Sequence, residues 1–163
     1  MSTTTAEIPV TTPLVGMGQI QFVRDSDIAR AVLGSCVAVT LYHPRRHVGA
    51  MAHIVLPEAA GRSDLPGKFA DTAIPHMLDL LQAEAAQAAS LVAKLAGGAD
   101  MFGKGGPLHI GESNVEAVRK ILTELRIPVR GEHLGGNKGR RLDFDCATGD
   151  VKIDIVGEQS VLL

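Results

Sequence analysis

Residues 33–57 read Leu-Gly-Ser-Cys-Val-Ala-Val-Thr-Leu-Tyr, then His-Pro-Arg-Arg, then His-Val-Gly-Ala-Met-Ala-His-Ile-Val-Leu-Pro. The two outer runs are rich in β-branched and small apolar residues, which is typical of β-strands. The four residues between them carry a proline at the second position, where a type I turn accepts it. The stretch therefore predicts a β-hairpin whose loop covers residues 43–46.

The position of that loop predicts which residues of the two strands face each other. Tyr42 opposes His47, and counting back six residues along each strand places Cys36 opposite His53. Directly opposed residues share a face of the sheet, with Cβ atoms about 4.5–5.5 Å apart. A slip by one residue would turn the apolar face outward. That face is predicted to hold Val37, Val39, Leu41, Val48, Ala50, Ala52, Ile54 and Leu56.

Length and composition predict one compact domain. The chain has 163 residues, of which 45% are hydrophobic and 21% are charged, as in ordinary globular proteins. Residues 1–13 are rich in threonine and patternless, so we expect a flexible N-terminal tail followed by a single domain over residues 14–163.

Charge and hydropathy exclude several classes of function. The formal net charge is −2 and no dense basic patch is present, so nothing indicates binding to nucleic acid. No apolar run approaches the roughly 20 residues that span a bilayer. The amino terminus lacks the basic and apolar regions of a signal peptide. We therefore expect a cytoplasmic protein without membrane insertion.

The chain contains two cysteines, Cys36 and Cys146. In a reducing compartment a structural disulfide between them is not expected. Two cysteines cannot form a cysteine-rich zinc site, and the histidines have no recognisable ligand spacing, so no metal or cofactor is expected. Aspartates at positions 143 and 145 would raise the pKa of the Cys146 thiol, which predicts a structural role for this residue.

Two helices and several further strands complete the pattern. The first helix begins near residue 70, where Asp71 or Thr72 can cap it, and an alanine-rich run extends it to residue 89. The second begins at a capping box formed by Ser113 and Glu116. Strands are predicted at residues 14–23, 28–33, 90–95, 129–134, 140–145 and 151–156. This order predicts a mixed sheet with helices packed against it, and hence an α/β or α+β fold.

Cys36 and His53 form the first candidate site. A thiol is a poor nucleophile near neutral pH, but an adjacent imidazole can take its proton, and the resulting thiolate attacks carbonyl carbon. The alternative is a small buried cysteine beside a histidine that is hydrogen-bonded elsewhere on the sheet. For an arbitrary cysteine and histidine on neighbouring strands this alternative is the commoner one. Spacing alone does not decide between them.

A glycine-rich segment at residues 98–104 fits Gly-x4-Gly-Lys, the pattern of a phosphate-binding loop. The next residue is Gly105, where the magnesium-binding hydroxyl belongs, and no helix is predicted to start there, so nucleotide binding is not supported. We expect this segment and residues 135–140 to border a substrate groove. Tight connections between strands are the alternative interpretation.

Six short blocks follow one another along the chain: Leu-Gly-Ser-Cys-Val-Ala-Val at residues 33–39, Gly-Ala-Met-Ala-His-Ile-Val-Leu-Pro at 49–57, Lys-Phe-Ala-Asp-Thr-Ala-Ile-Pro at 68–75, Gly-Gly-Ala-Asp-Met-Phe at 97–102, Ile-Gly-Glu-Ser-Asn at 110–114 and Gly-Gly-Asn-Lys-Gly-Arg at 135–140. In this order they resemble the chemoreceptor glutamine deamidase family, CheD. The resemblance runs from about residue 15 to residue 153.

The resemblance implies a three-layered α/β fold with a mixed sheet, similar to the catalytic domain of cytotoxic necrotising factor toxins. It implies a hydrolase that converts glutamine side chains of bacterial chemoreceptors to glutamate, with release of ammonia, in chemotaxis adaptation. The family's nucleophile and base fall on Cys36 and His53. The implied partners are the cytoplasmic helices of chemoreceptors and a CheC-type response-regulator phosphatase.

The chain departs from the family at Arg30, because the family places a catalytic threonine six residues before the cysteine. A guanidinium cannot accept a hydrogen bond and does not favour an adjacent imidazolium. Either a backbone carbonyl orients His53, or activity is reduced. The second case keeps an alternative function open, a weakly catalytic module that docks the CheC-type phosphatase.

The expected mechanism passes through a thioester on Cys36, with His53 as acid and base. The oxyanion is expected to bind N–H groups at the turn of Ser35 and Cys36. The residues expected at the substrate are Ser35, Gly98, Asn137 and Arg140, and the catalytic set is Cys36, His53 and the threonine position, Arg30.

Overall fold

A computed structural model describes residues 14–82, 85–101 and 109–163 of the protein. The predicted tail at residues 1–13 and the Gly103-Lys104-Gly105 part of the phosphate-loop pattern lie outside these ranges. The described strands are β1 (Ile20–Arg24), β2 (Ile28–Leu33), β3 (Val37–His43), β4 (Val48–Ile54), β5 (Val92–Gly97), β6 (Val129–Leu134), β7 (Arg140–Asp145), β8 (Val151–Asp154) and β9 (Val161–Leu162). The helices are α1 (Ala70–Leu80) and α2 (Ile110–Glu124), with short 3-10 turns at Pro66–Lys68 and Ala85–Ser90.

The strands form two sheets. The larger has the order β1-β4-β3-β5-β6, and all its neighbours are antiparallel except β5 and β6, which are parallel. The smaller has the antiparallel order β2-β7-β8-β9. The mixed sheet is therefore confirmed, within an α+β architecture.

Two cores lie on opposite faces of the larger sheet. The helix-side core joins the sheet to α1 and α2, and includes Val37, Val39, Leu41, Ala50, Ala52, Ile54, Ile74, Met77, Val118 and Leu122. The inter-sheet core joins the two sheets, and includes Val23, Ala29, Ala31, Leu33, Cys36, Ala38, Tyr42, Met51, Leu142, Phe144 and Cys146. Helices, larger sheet and smaller sheet thus form three layers. Neither described helix is long and apolar enough to cross a membrane.

The central hairpin has the predicted faces but a different register. His43 opposes Val48, and Ala38 rather than Cys36 opposes His53, a shift of two residues. The loop covers residues 44–47 and closes with a hydrogen bond from the His47 N–H to the His43 carbonyl at 3.0 Å. His47 adopts a φ of 49°, a left-handed conformation that favours glycine or asparagine. A histidine there gives no sequence signal, so the turn was placed one residue too early.

Other predicted boundaries are wrong as well, and one strand was not predicted. The first strand begins at Ile20 rather than at residue 14, because Gly18 turns the chain with a φ of 79°. Helix α1 ends at Leu80, and the alanine-rich run forms a separate 3-10 turn after Gln82, which has a φ of 52°. Strand β9 was not predicted, since it has only two residues.

The prediction that α2 begins at a capping box of Ser113 and Glu116 is also wrong. The helix begins at Ile110, so Ser113 lies inside it and donates its N–H to the His109 carbonyl at 2.9 Å. Apolar periodicity located the helix, but a capping pattern also occurs by chance within a first turn. By contrast, the bounds predicted for β2, β6 and β7 are confirmed.

Candidate active site

Cys36 lies in the turn between β2 and β3, one residue before β3 begins. Its carbonyl accepts the Gly98 N–H at 2.9 Å, and the Gly34 carbonyl accepts the Ala99 N–H at 3.0 Å. Gly97 makes this close packing possible, because its φ is 106° and a Cβ atom there would lie 2.2 Å from the Cys36 carbonyl oxygen. The turn is therefore fixed against the end of β5, with Cys36 8% exposed.

Three hydrogen bonds from one loop hold His53, which lies near the end of β4 and is 4% exposed. The His53 N–H donates to the Gln19 carbonyl at 3.0 Å, and the His53 carbonyl accepts the Gly18 N–H at 2.8 Å. The ring Nδ1 lies 2.9 Å from the Val15 carbonyl oxygen. Because a carbonyl can only accept, Nδ1 carries the hydrogen. In the neutral ring Nε2 then holds the lone pair, and His53 has the tautomer of a general base.

Cys36 and His53 lie on the same side of the larger sheet, but on a diagonal. Ala38 opposes His53, and Cys36 precedes Ala38 by two residues, so both point toward the inter-sheet side. Diagonal neighbours have Cα atoms about 7–8 Å apart, within reach of a long side chain such as histidine. The directly opposed pair predicted from the sequence is therefore corrected to a diagonal pair.

Burial favours the neutral forms of both groups. It raises the pKa of the Cys36 thiol. It also lowers the pKa of His53, an effect that the hydrogen bond to Val15 partly offsets. The favoured resting state is thus a thiol beside a neutral imidazole rather than a preformed ion pair.

The Arg30 side chain is engaged away from this pair. Its Nε and Nη2 donate to the two carboxylate oxygens of Asp143 at 2.6 and 3.3 Å. On β2 it alternates with Ala29 and Ala31, which point into the inter-sheet core. The Arg30 carbonyl, however, accepts the Val15 N–H at 2.7 Å. The threonine position of the family is therefore linked to His53 through the backbone of Val15, a residue that sequence reasoning missed.

A cavity of about 330 Å³ lies next to the Cys36 turn, between the end of β5, the start of α2 and the segment after β6. Ser35 and Gly98 line it, together with Gly135 and Gly136, as the expected groove requires. Across the described ranges, no three His, Cys, Asp or Glu side chains come together as ligands for a metal ion.

The other two residues expected at the substrate lie outside the lining of that cavity. Asn137 is exposed. Arg140 is buried, and its guanidinium donates to the His133 carbonyl at 2.7 Å and to the Gly135 carbonyl. Its two Nη groups thus bind backbone within the protein and hold the segment that borders the cavity.

Cys146 is fully buried at the opposite end of the hairpin and donates to the His47 carbonyl at 3.4 Å. Burial, followed by the charges of Asp27, Asp25 and Asp145, raises its pKa to about 11. The predicted direction is confirmed, although the contributing charges include Asp145 and not Asp143.

The arrangement can carry out acyl transfer. A thiol and an imidazole of fixed tautomer lie on the same side of the sheet, and these are the groups that acyl transfer by a nucleophile and its base requires. Within the described ranges, neither Ser35 nor Cys36 donates its backbone N–H to another group, so both remain available to an oxyanion.

Comparisons with known proteins show the family to which this chain belongs. The family model for CheD chemotactic sensory transduction matches residues 55–155. The chemoreceptor glutamine deamidase CheD of Thermotoga maritima is 40% identical over 145 residues, covering 88% of this chain and 92% of its own. Proteins named probable chemoreceptor glutamine deamidase CheD are 44% identical over 130 residues in Desulforamulus reducens and in Clostridium kluyveri, covering 77% of this chain and 78% and 80% of theirs. The chain belongs to the CheD family.

Proposed function

We propose that this protein is a protein-glutamine deamidase of chemotaxis, which converts glutamine side chains in the cytoplasmic helices of chemoreceptors to glutamate. Its relatives carry the name of this activity. The observation that carries the proposal is the His53 ring, whose Nδ1 lies 2.9 Å from the Val15 carbonyl oxygen, which leaves the lone pair of a base on Nε2.

In the proposed first step, Nε2 of His53 takes the proton of the Cys36 thiol as the sulfur attacks the carboxamide carbon. The carbonyl oxygen becomes an oxyanion, which the N–H groups of Ser35 and Cys36 stabilise, each by about 3 kcal/mol if aligned. The imidazolium then returns the proton to the departing nitrogen. Ammonia leaves, and the substrate remains bound to Cys36 as a thioester.

In the second step, water replaces ammonia. Nε2 of His53 takes a proton from water as the oxygen attacks the thioester carbon, and the proton then passes to the sulfur. Glutamate leaves and the thiol is restored, so that the net reaction consumes one water and releases one ammonia. Proton transfer accompanies attack, since burial raises the pKa of Cys36 and lowers that of His53.

Substrate contacts are proposed at the cavity beside the Cys36 turn. Ser35 and Gly98 would border the bound glutamine, Arg140 would hold the rim through its bonds to backbone, and Asn137 would contact the receptor helix from the exposed side. We further propose one cytoplasmic deamidase domain over residues 14–163, similar to the catalytic domain of cytotoxic necrotising factors. Both cysteines are free thiols, as a reducing compartment requires.

The experiment is deamidation of a purified chemoreceptor fragment, followed by peptide mass spectrometry that detects conversion of amide to acid. The wild-type protein should convert particular glutamines, and Cys36→Ala and His53→Ala should not. Cys146→Ala is the matched control and should retain activity. Conversion by Cys36→Ala at the wild-type rate would disprove the assignment.

A second proposed role is docking of a CheC-type phosphatase, which the Arg30 departure keeps open. Iodoacetamide separates the two roles, because an activated thiol alkylates faster than an inert one. If the protein is a deamidase, replacing His53 with alanine should slow the alkylation of Cys36. If the alkylation rate of Cys36 does not change and the receptor fragment is not deamidated, docking becomes the better assignment.

A further inference from the structure

Asn114 is a fully buried polar residue in the first half of α2. It stands on the helix face that Val115 and Val118 present to the helix-side core. An amide in such a place is less favourable than a hydrocarbon side chain unless hydrogen bonds satisfy it. Asparagine is also a poor helix former. Packing alone therefore does not account for this residue.

The Asn114 side chain connects the two strand ends that carry the candidate site. Its Nδ2 lies 2.9 Å from the Val55 carbonyl oxygen and 3.4 Å from the Ser35 carbonyl oxygen. Both partners can only accept, so the amino group of the amide must face them. Ser35 directly precedes Cys36, and Val55 follows His53 by two residues. One side chain thus holds backbone beside the nucleophile and backbone beside the base.

The ladder between β3 and β4 ends where this amide lies. Cys36 and Val55 would form the next pair in the observed register. Instead, the Val55 N–H donates to the Lys68 carbonyl at 2.9 Å, and its carbonyl accepts from Asn114. The strands therefore separate at Cys36, and the Asn114 amide lies within hydrogen-bond distance of the backbone of both ends.

The other end of the amide is not satisfied. Oδ1 of Asn114 is buried and accepts no hydrogen bond within the described ranges. A buried acceptor without a partner lowers stability, a cost that the hydrogen bonds at the donor end of the amide must offset. Departures of this kind from stable packing are typical of sites that order reacting groups.

We propose that Asn114 is a positioning residue, whose amide fixes the carbonyls of Ser35 and Val55 and so holds the Cys36 thiol where the His53 ring can take its proton. Asn114 does not touch the substrate, because its side chain is fully buried. The inference rests on the proposed function in assuming that Cys36 and His53 react as a pair. Displacing reacting groups by 1 Å can lower a rate about 100-fold.

The test is Asn114→Leu, which removes both donors and the unpaired acceptor while nearly keeping the volume. The melting temperature should change little, because removal of the unpaired acceptor offsets the two carbonyls that lose their donor. The kcat for the receptor fragment should fall by about 10- to 100-fold with KM unchanged, and alkylation of Cys36 by iodoacetamide should slow in parallel. Asn114→Ser, which keeps one donor, should give intermediate values and serves if the leucine variant does not fold.

Val118→Ala is the matched control. It removes packing from the same helix and the same core without touching either carbonyl, so it should lower the melting temperature and keep kcat and the Cys36 alkylation rate. Wild-type kcat and alkylation in the leucine and serine variants would overturn the inference, as would losses no larger than those of Val118→Ala. If the wild-type protein deamidates nothing, the proposed function fails, and the alkylation rates alone still decide the role of Asn114.

Discussion

At the scale of single residues, His53 is buried and one of its ring nitrogens is hydrogen-bonded to the Val15 carbonyl. Burial lowers its pKa, so the neutral form persists to a lower pH than in a free histidine. As pH falls through that lowered pKa, Nε2 is protonated and the base is lost. The acid side of the activity profile should therefore report His53.

We expect kcat/KM for the receptor fragment to fall on the acid side with a midpoint below the pKa of a free histidine, about 6.5. The measurement is the deamidation rate between about pH 4.5 and 8, a range that brackets that value. A midpoint at or above that of free histidine would contradict the buried, neutral base.

Arg30 should matter through its backbone and not through its guanidinium. Arg30→Ala removes the partner of Asp143 but leaves the carbonyl that binds the Val15 N–H. We expect kcat/KM to stay unchanged and the unfolding free energy to fall only slightly, because the ion pair is partly exposed. A tenfold loss of activity at unchanged stability would instead give the Arg30 side chain a role in the reaction.

The candidate pair, Cys36 and His53, could be named from the sequence, because both residues lie in short motifs and on one predicted face. The Val15 carbonyl could not. It is a backbone atom in a loop, and the side chain at position 15 does not indicate where that atom lies. Asn114 gave a weak signal, a polar residue four positions before Val118 on an apolar helix face, and it was missed.

At the scale of secondary-structure elements, the hairpin shows what periodicity can and cannot determine. Alternation predicted which side chains share a face, because a shift of two residues leaves each face unchanged. It could not predict the pairs, since these depend on the loop and its left-handed His47. Cys36 and His53 are therefore diagonal rather than directly opposed neighbours, but they share the predicted face of the sheet.

The contact between β5 and the Cys36 turn gives a prediction for Gly97. A Cβ atom there would lie 2.2 Å from the Cys36 carbonyl oxygen, in a left-handed conformation. We expect Gly97→Ala to destabilise the protein by about 3 kcal/mol or more, from overpacking and backbone strain together, and to abolish deamidation by displacing Cys36. Thermal melts and deamidation rates measure both effects.

Gly61→Ala is the matched control for that variant. Gly61 also has a left-handed φ, 80°, but nothing lies within 4 Å of its Cβ position. Gly61→Ala should lower the free energy of unfolding by only about 1–2 kcal/mol, from the backbone alone, and leave deamidation intact. Equal losses in the two variants would mean that the close approach to Cys36 has no particular effect.

At the scale of the whole molecule, the larger sheet belongs to both cores, so the three layers should unfold together. The helix signal in circular dichroism reports the helix-side core, because α1 and α2 pack there. Cys146 is fully buried in the inter-sheet core, so its alkylation reports the unfolding of that core. We expect the two probes to give coincident denaturation curves, as a single domain requires.

Substitutions in either core should move both curves. Met77→Ala and Phe144→Ala lie on opposite faces of the sheet and should each destabilise by about 2–5 kcal/mol. If Met77→Ala shifts the helix signal while Cys146 stays protected, the chain contains two independent units.

The sequence predicted one domain with a mixed sheet, but not the split into two sheets, since pairing of β2 with β7 joins residues more than a hundred positions apart.

The central claim is that Cys36 becomes covalently attached to the substrate carbonyl with His53 as its base. The direct measurement is an acid quench during turnover of a receptor fragment, followed by intact mass and fragment mapping. We predict a thioester on Cys36 whose mass equals the fragment joined to the protein with loss of ammonia. Turnover with Cys36 a free thiol at every quench time, or an adduct on Cys146 instead, would contradict the account.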